Sequence, residues 1–272
     1  MLDRVTLKTV KSMILDMDGV IWRGNESVGD LPLIFGELDH LGIKYAFATN
    51  NASKSVGQYI EKLKTFHLNV QPWQIVSSSI VTAGFLKEKF PAGTNIFVVG
   101  EDGFINTLAE FGFRHAEENV KAVIVGMDRG LSYEKLSKAC NFIWDGALFI
   151  GANPDSSFPT PTGLSPGAGA IVAAIQTATG VKPVIMGKPF PTIIRLALER
   201  LNSKEEECLV VGDRIDTDIT AGKRAGCRTA LILSGVGTME DLDHSDIHPD
   251  YIFNDLEELV LTIKTMPYAA IG

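Results

Sequence analysis

Asp16 and Asp18 are the residues most able to do chemistry: two carboxylates one residue apart, in the run Met13-Ile14-Leu15-Asp16-Met17-Asp18-Gly19-Val20. Side chains of an extended chain repeat every two residues, so both acids point to one side while Met17 turns into the packing. Held about 4 Å apart, two such charges repel by roughly 4 kcal/mol at an effective dielectric near 20. The pair therefore calls for a bound cation or a shared proton. A lone Asp-x-Asp is more often a solvated turn. Its setting argues otherwise, because Ser12 to Leu15 is an uncharged, mostly apolar run that stops abruptly at Asp16, as a buried parallel strand does where it leaves the core. Gly19 then permits a sharp turn. An EF-hand loop is excluded, since it needs further oxygen ligands and a twelfth-position Glu where this chain has Val20 and Ser27.

The same design recurs twice. Ile43 to Thr49 is strand-like and ends in Thr49, Asn50 and Asn51; Cys208 to Val211 is a short apolar strand that ends in Gly212-Asp213-Arg214. Ser55 and Gln58 form a capping-box pattern before the stripe Val56, Ile60, Leu63 and Phe66, so Thr49 to Ser55 lie between a strand end and a helix start, where free N–H groups favour an anion. Right-handed crossovers keep such strands parallel, and ligands of open α/β sheets bind at their carboxyl ends. Taken singly, Thr49-Asn50-Asn51 and Asn153-Pro154-Asp155 are ordinary turns, and Lys188, between Gly187 and Pro189 at a helix start, is an ordinary surface charge. Gly167-Ala168-Gly169 lacks the third glycine of a dinucleotide fingerprint, and Lys188 stands where an acid would be needed.

The elements that must position these residues alternate. A helix over Leu31 to Leu41 closes at Gly42. From about Val76 a second α/β unit begins, with helices over Ile80 to Phe90, Phe104 to Phe111 and Tyr133 to Trp144, and strands over Ile96 to Val99, Ala122 to Val125 and Ala147 to Ile150. Gly151 to Gly169 is rich in Pro, Gly, Ser and Thr and too long for an ordinary connection, so it reads as functional or mobile. Helices over Pro189 to Leu201 and Asp216 to Ala225, strands over Thr229 to Leu233 and Tyr251 to Phe253, and a helix over Leu256 to Ile263 complete the chain.

Composition narrows the rest. A length of 272 residues suggests about two domains, and 45% apolar residues suffice for real cores. A formal charge of −8 without a Lys/Arg run argues against non-specific binding of nucleic acid or an anionic membrane. Three widely spaced cysteines, Cys140, Cys208 and Cys227, read as reduced thiols of the cytoplasm rather than a disulfide framework. No stretch reaches the ~18 apolar residues of a membrane span, and no signal-peptide core is present.

Taken together, Asp16-Met17-Asp18-Gly19-Val20-Ile21-Trp22, Thr49-Asn50-Asn51, Gly187-Lys188-Pro189 and Gly212-Asp213-Arg214-Ile215-Asp216-Thr217-Asp218-Ile219 resemble the motifs of the haloacid dehalogenase-like (HAD) superfamily, in their order, and most closely its NagD-like, nitrophenyl phosphatase-like branch. The resemblance spans nearly the whole chain. It implies a Rossmann-like parallel-sheet core over about 1–75 and 186–272, with an inserted class II α/β cap over 76–185. It further implies an Mg²⁺-dependent phosphatase for a small phosphorylated metabolite. In that reading Asp16 is the nucleophile that becomes an aspartyl phosphate, and Asp18 is the acid and base. Mg²⁺ is held by Asp16, the Asp18 backbone carbonyl and Asp213, with Asp218 ordering the metal's waters or Lys188. The Thr49 hydroxyl and the Asn50 backbone N–H bind phosphate oxygens, Lys188 neutralises charge, and Asn51, Asn153 and Asp155 belong to the substrate-binding set, the last two in the loop that reads the leaving group. Ala152 and Ala52 depart from the family's frequent Thr and Ser, and the first bears on substrate identity. A phosphotransferase or mutase, and a silent phosphate-binding module, stay open as alternatives, as does a homodimer through the cap.

Overall fold

Four-residue apolar runs that end in an acid form strands here because they are buried on both faces, and the computed structural model carries them as parallel sheets with flanking helices. It describes residues 7–160 and 163–265. By internal contacts the chain divides into two compact units, one drawn from Met1–Ala48, Ile60–Ile75 and Ile194–Gly272, the other from Thr49–Tyr59 and Val76–Ile193.

The first unit holds most of a six-stranded sheet, whose order from one edge is β15 (Tyr251–Phe253), β14 (Arg228–Ile232), β13 (Cys208–Gly212), β1 (Ser12–Leu15), β4 (Lys44–Thr49) and β5 (Ile75–Ser77). β1 lies centrally and is fully buried, parallel to β13 on one side and β4 on the other, with Leu15 opposite Val211 and Phe47. Flanking helices α1 (Leu31–His40) and α2 (Val56–Thr65) begin where expected. Asp30 caps α1 by accepting from the Leu33 N–H, and the Ser55/Gln58 capping box precedes α2, with Gln58 Oε1 accepting from the Ser55 N–H at 2.8 Å. Gly24 to Asp30, read from sequence as a polar turn, contains half of a small hairpin, β2 (Trp22–Arg23) against β3 (Glu26–Ser27). Two-residue strands carry no periodicity to read.

The second unit holds its own parallel sheet, in the order β12 (Val184–Ile185), β9 (Leu148–Gly151), β8 (Ala122–Val125), β6 (Asn95–Val99) and β7 (Arg114–His115). Phe97, Val99, Val123, Val125 and Phe149 pack with Ile143 of α3 (Tyr133–Trp144) and with Ile171, Val172 and Ile175 of α4 (Ala168–Thr179). The stretch from Gly151 to Gly169 carries a hairpin, β10 (Ser157–Thr160) against β11 (Gly163–Pro166), with Phe158 opposite Ser165. A proline in each strand, Pro159 and Pro166, and the lack of apolar alternation hid it in the sequence. All three cysteines are free and buried.

Candidate active site

In the first unit Asp16 follows β1 directly, and its N–H donates to the Val211 carbonyl at 2.8 Å, which fixes the acid against the end of β13. Asp213 follows β13. Its Oδ2 accepts from the Val236 N–H at 2.8 Å, and Cβ atoms at Gly19, Gly212 or Gly235 would overlap the side chain of Asp213 or Asp218. The glycines are therefore space-makers for buried carboxylates. Asp218 lies on a single π-helical turn, Ile215–Ile219, in which the Ile219 N–H reaches back five residues to the Arg214 carbonyl at 3.2 Å. Sequence periodicity predicted one continuous helix there. The wide turn instead lets the Asp218 carboxylate accept from the Arg214 N–H at 3.1 Å, and such turns recur at functional sites.

Asp16, Asp213 and Asp218 each offer one oxygen within 4.8 Å of the others, a grouping of three among the described residues. Opposite ligands of one Mg²⁺ are about 4.2 Å apart and those of Ca²⁺ about 5 Å, so these three hard oxygen donors fit a single divalent ion. The Asp18 side chain has a different setting: it is exposed, and its Oδ1 accepts from the Trp22 Nε1–H at 2.7 Å. Trp22 is itself buried, stacked on Phe66 at 5.9 Å with the Lys62 ammonium 3.9 Å over its ring. The turn between the two residues is closed by Gly19 N–H to the Trp22 carbonyl at 2.7 Å, and Gly19 takes the left-handed φ of +93°.

In the second unit Thr49 and Asn50 are buried. Thr49 Oγ1 accepts from the Asn51 N–H at 3.2 Å, and Asn51 Oδ1 accepts from both the N–H and the hydroxyl of Ser53. Asn50 gathers three more of the expected site residues. Its Oδ1 accepts from the Lys188 N–H at 2.7 Å, while its Nδ2 donates to the Lys188 carbonyl at 3.0 Å and to the Asp155 carboxylate at 3.1 Å. Its own carbonyl accepts from Ser78 Oγ at 2.5 Å and Asn153 Nδ2 at 2.6 Å. Lys188 is 3% exposed, unlike a surface lysine.

Sequence reasoning passed over Trp22 as the partner of Asp18, Ser78, and the loop after β14, where Ser234 Oγ donates to the Gly19 carbonyl at 2.7 Å. The Gly235-Val236-Gly237 spacing after a buried strand was the available signal for the last.

Carboxylates on neighbouring parallel strand ends, one of them followed by Asp-Gly and a hairpin, define an α/β hydrolase of the HAD type. Residues 13–114 match the family model for haloacid dehalogenase-like hydrolases, and residues 185–259 a second HAD hydrolase-like model. An acid sugar phosphatase of Staphylococcus aureus is 36% identical over 259 residues, covering 95% of this chain and all of the relative. Among solved structures, 4-nitrophenylphosphatase from Thermotoga maritima superposes with a TM-score of 0.90 at 33% identity, covering 95% of this chain and 99% of that one. NagD from E. coli K-12 does so at 0.83 and 34% identity, covering 92% and 98%. The chain belongs to the haloacid dehalogenase-like hydrolases, in their NagD-like phosphatase branch, and is a phosphoric monoester hydrolase. Among the described residues no helix is long and apolar enough to cross a membrane.

Proposed function

We propose that this chain hydrolyses small phosphate monoesters, sugar phosphates foremost, in an Mg²⁺-dependent reaction that passes through an aspartyl phosphate on Asp16. The observation that carries the reading is the cluster of Asp16 and Asp213, at adjoining strand ends, with Asp218 on the turn that follows, in a chain similar along its length to an acid sugar phosphatase. Asp16 and Asp213, with the Asp18 carbonyl, would hold Mg²⁺, which when bound neutralises phosphoryl charge and orients the ester.

The chain's own residues do the rest. A carboxylate oxygen of Asp16 attacks phosphorus as the bond to the leaving oxygen breaks, and Asp18 gives that oxygen its proton. Asp18, now a carboxylate, takes a proton from water as the water attacks phosphorus and the bond to Asp16 breaks. The sum is ester plus water to alcohol plus phosphate. Exposure of the Asp18 carboxyl and its hold by Trp22 suit a group that must meet both a leaving oxygen and water. We assign the Thr49 hydroxyl and the Asn50 N–H as phosphate donors and the Lys188 ammonium as the balancing charge. The cytoplasm is the expected compartment.

A panel of phosphorylated sugars, nucleotides, glycolate and pyridoxal, assayed with and without Mg²⁺, tests the reading. Stoichiometric free phosphate in the presence of Mg²⁺ supports it. Uniform absence of turnover, or transfer of phosphate to a second sugar, contradicts it.

A further inference from the structure

We propose that Asn50 is a positioning residue that acts through Lys188, and that Asp155, Asn153 and Ser78 serve the same latch rather than contacting substrate. The inference rests on the catalytic reading of Lys188 and gives the Asn50 side chain a role, while it turns Asn153 and Asp155 away from the leaving group they were expected to face. Asn50 is 7% exposed, and its amide engages the main chain of Lys188 from both ends: Oδ1 takes the N–H at 2.7 Å and Nδ2 gives to the carbonyl at 3.0 Å. An amide is the side chain able to answer an N–H and a C=O together. The second Nδ2 proton goes to Asp155, 3.1 Å and 3.2 Å from its two carboxylate oxygens. Asp155 is held in turn by its N–H donating to Asn153 Oδ1 at 3.1 Å, and Asn153 Nδ2 returns to the Asn50 carbonyl. With Ser78 on the same carbonyl, both donors and both acceptors of Asn50 beyond its N–H are taken up within the latch. Both Nδ2 protons are spent on Lys188 and Asp155, so the side chain has no donor left for a phosphate oxygen. Gly187 belongs to the same device, since a Cβ there would overlap Asn50 Oδ1 and stand 2.8 Å from the Ala152 carbonyl.

The latch predicts a kinetic signature distinct from loss of fold. Asn50→Ala keeps the backbone N–H but frees Lys188, so kcat falls on the order of 10²-fold, as for an ångström of misplacement. KM moves less than about threefold, because the backbone donor survives. In a Lys188→Met background the same change costs less than about threefold, because a residue that acts through Lys188 has nothing left to position. Should Asn50→Ala fail to fold, Asp155→Ala and Asp155→Asn make the same test: Asn retains an acceptor for Asn50 Nδ2 and restores most of the kcat that Ala loses. Equal kcat losses from Asn50→Ala in both backgrounds, no loss, or an Asp155→Asn no better than Asp155→Ala would overturn the latch alone. Full activity in Lys188→Met would instead overturn the catalytic reading of Lys188, and the latch with it.

Discussion

A Cβ placed on Gly19 would stand 2.5 Å from Oδ2 of Asp213, closer than any side chain tolerates. The glycine after the two acids thus does two things at once. It takes a φ of +93°, which turns the chain from β1 into the hairpin, and it leaves the volume that the Asp213 carboxylate fills. Gly19→Ala should therefore displace Asp213 and strain the backbone by about 1–3 kcal/mol. We expect kcat to fall by about 10²-fold or more with a lowered thermal midpoint. Wild-type activity at an unchanged midpoint would contradict this packing.

Trp22 holds Asp18 through one hydrogen bond of 2.7 Å while its ring stays in the core. Trp22→Phe keeps the stack on Phe66 and removes the donor. If Asp18 protonates the leaving oxygen, the loss should be larger for sugar phosphates, whose alkoxides need a proton, than for nitrophenyl phosphate, whose phenolate does not. Asp18→Asn should show the same pattern in full, about 10²–10⁴-fold on the sugar ester. Equal losses on both esters would remove Asp18 from the proton-transfer role.

The proposed metal dependence can be tested at the three acids. Chelation should abolish turnover and added Mg²⁺ restore it, and Asp213→Asn should raise the Mg²⁺ needed for half activity at least about tenfold, as removing one hard donor does. Binding should also stabilise the fold, by about 2.7 kcal/mol at a hundredfold excess over the dissociation constant. Titration calorimetry and thermal melts read this without reference to activity. An Mg²⁺ response unchanged by Asp213→Asn would contradict the assignment.

His115, on the edge strand β7, accepts the Val98 N–H on Nδ1 at 3.0 Å. The residue as a whole is exposed, but partial burial of its ring depresses its pKa below the usual imidazole value; Glu117 opposes this and Lys135 adds to it. The unfolded chain thus takes up the proton first, so the stabilisation is fully present above about pH 6.5 and is lost as pH falls through the lower folded value. Melting wild type and His115→Gln between about pH 7.5 and pH 5 should give curves that converge on the acid side. Parallel curves would rule His115 out as the titrating group.

Much of this was legible before any coordinates. Strand ends announced themselves because an apolar run buried on both faces must stop at the first acid, so Asp16 and Asp213 could be placed on parallel strands from sequence alone. The capping box at Ser55 was readable for the same local reason. What escaped were features set by tertiary contact: the two-residue strands at Trp22 and Glu26, the hairpin around Phe158, and the π turn that aims Asp218. Motif logic marked Asn50, Asn153 and Asp155 as polar and important, yet only their mutual distances reveal that they hold one another.

The central claim is a covalent bond between Asp16 and the transferred phosphorus. Acid quench during steady-state turnover of a radiolabelled sugar phosphate, followed by proteolysis and peptide mapping, measures it directly. The account predicts label on the peptide that contains Asp16, removable by hydroxylamine and absent from Asp16→Asn. Steady turnover with no label there, or label on another residue, would contradict it.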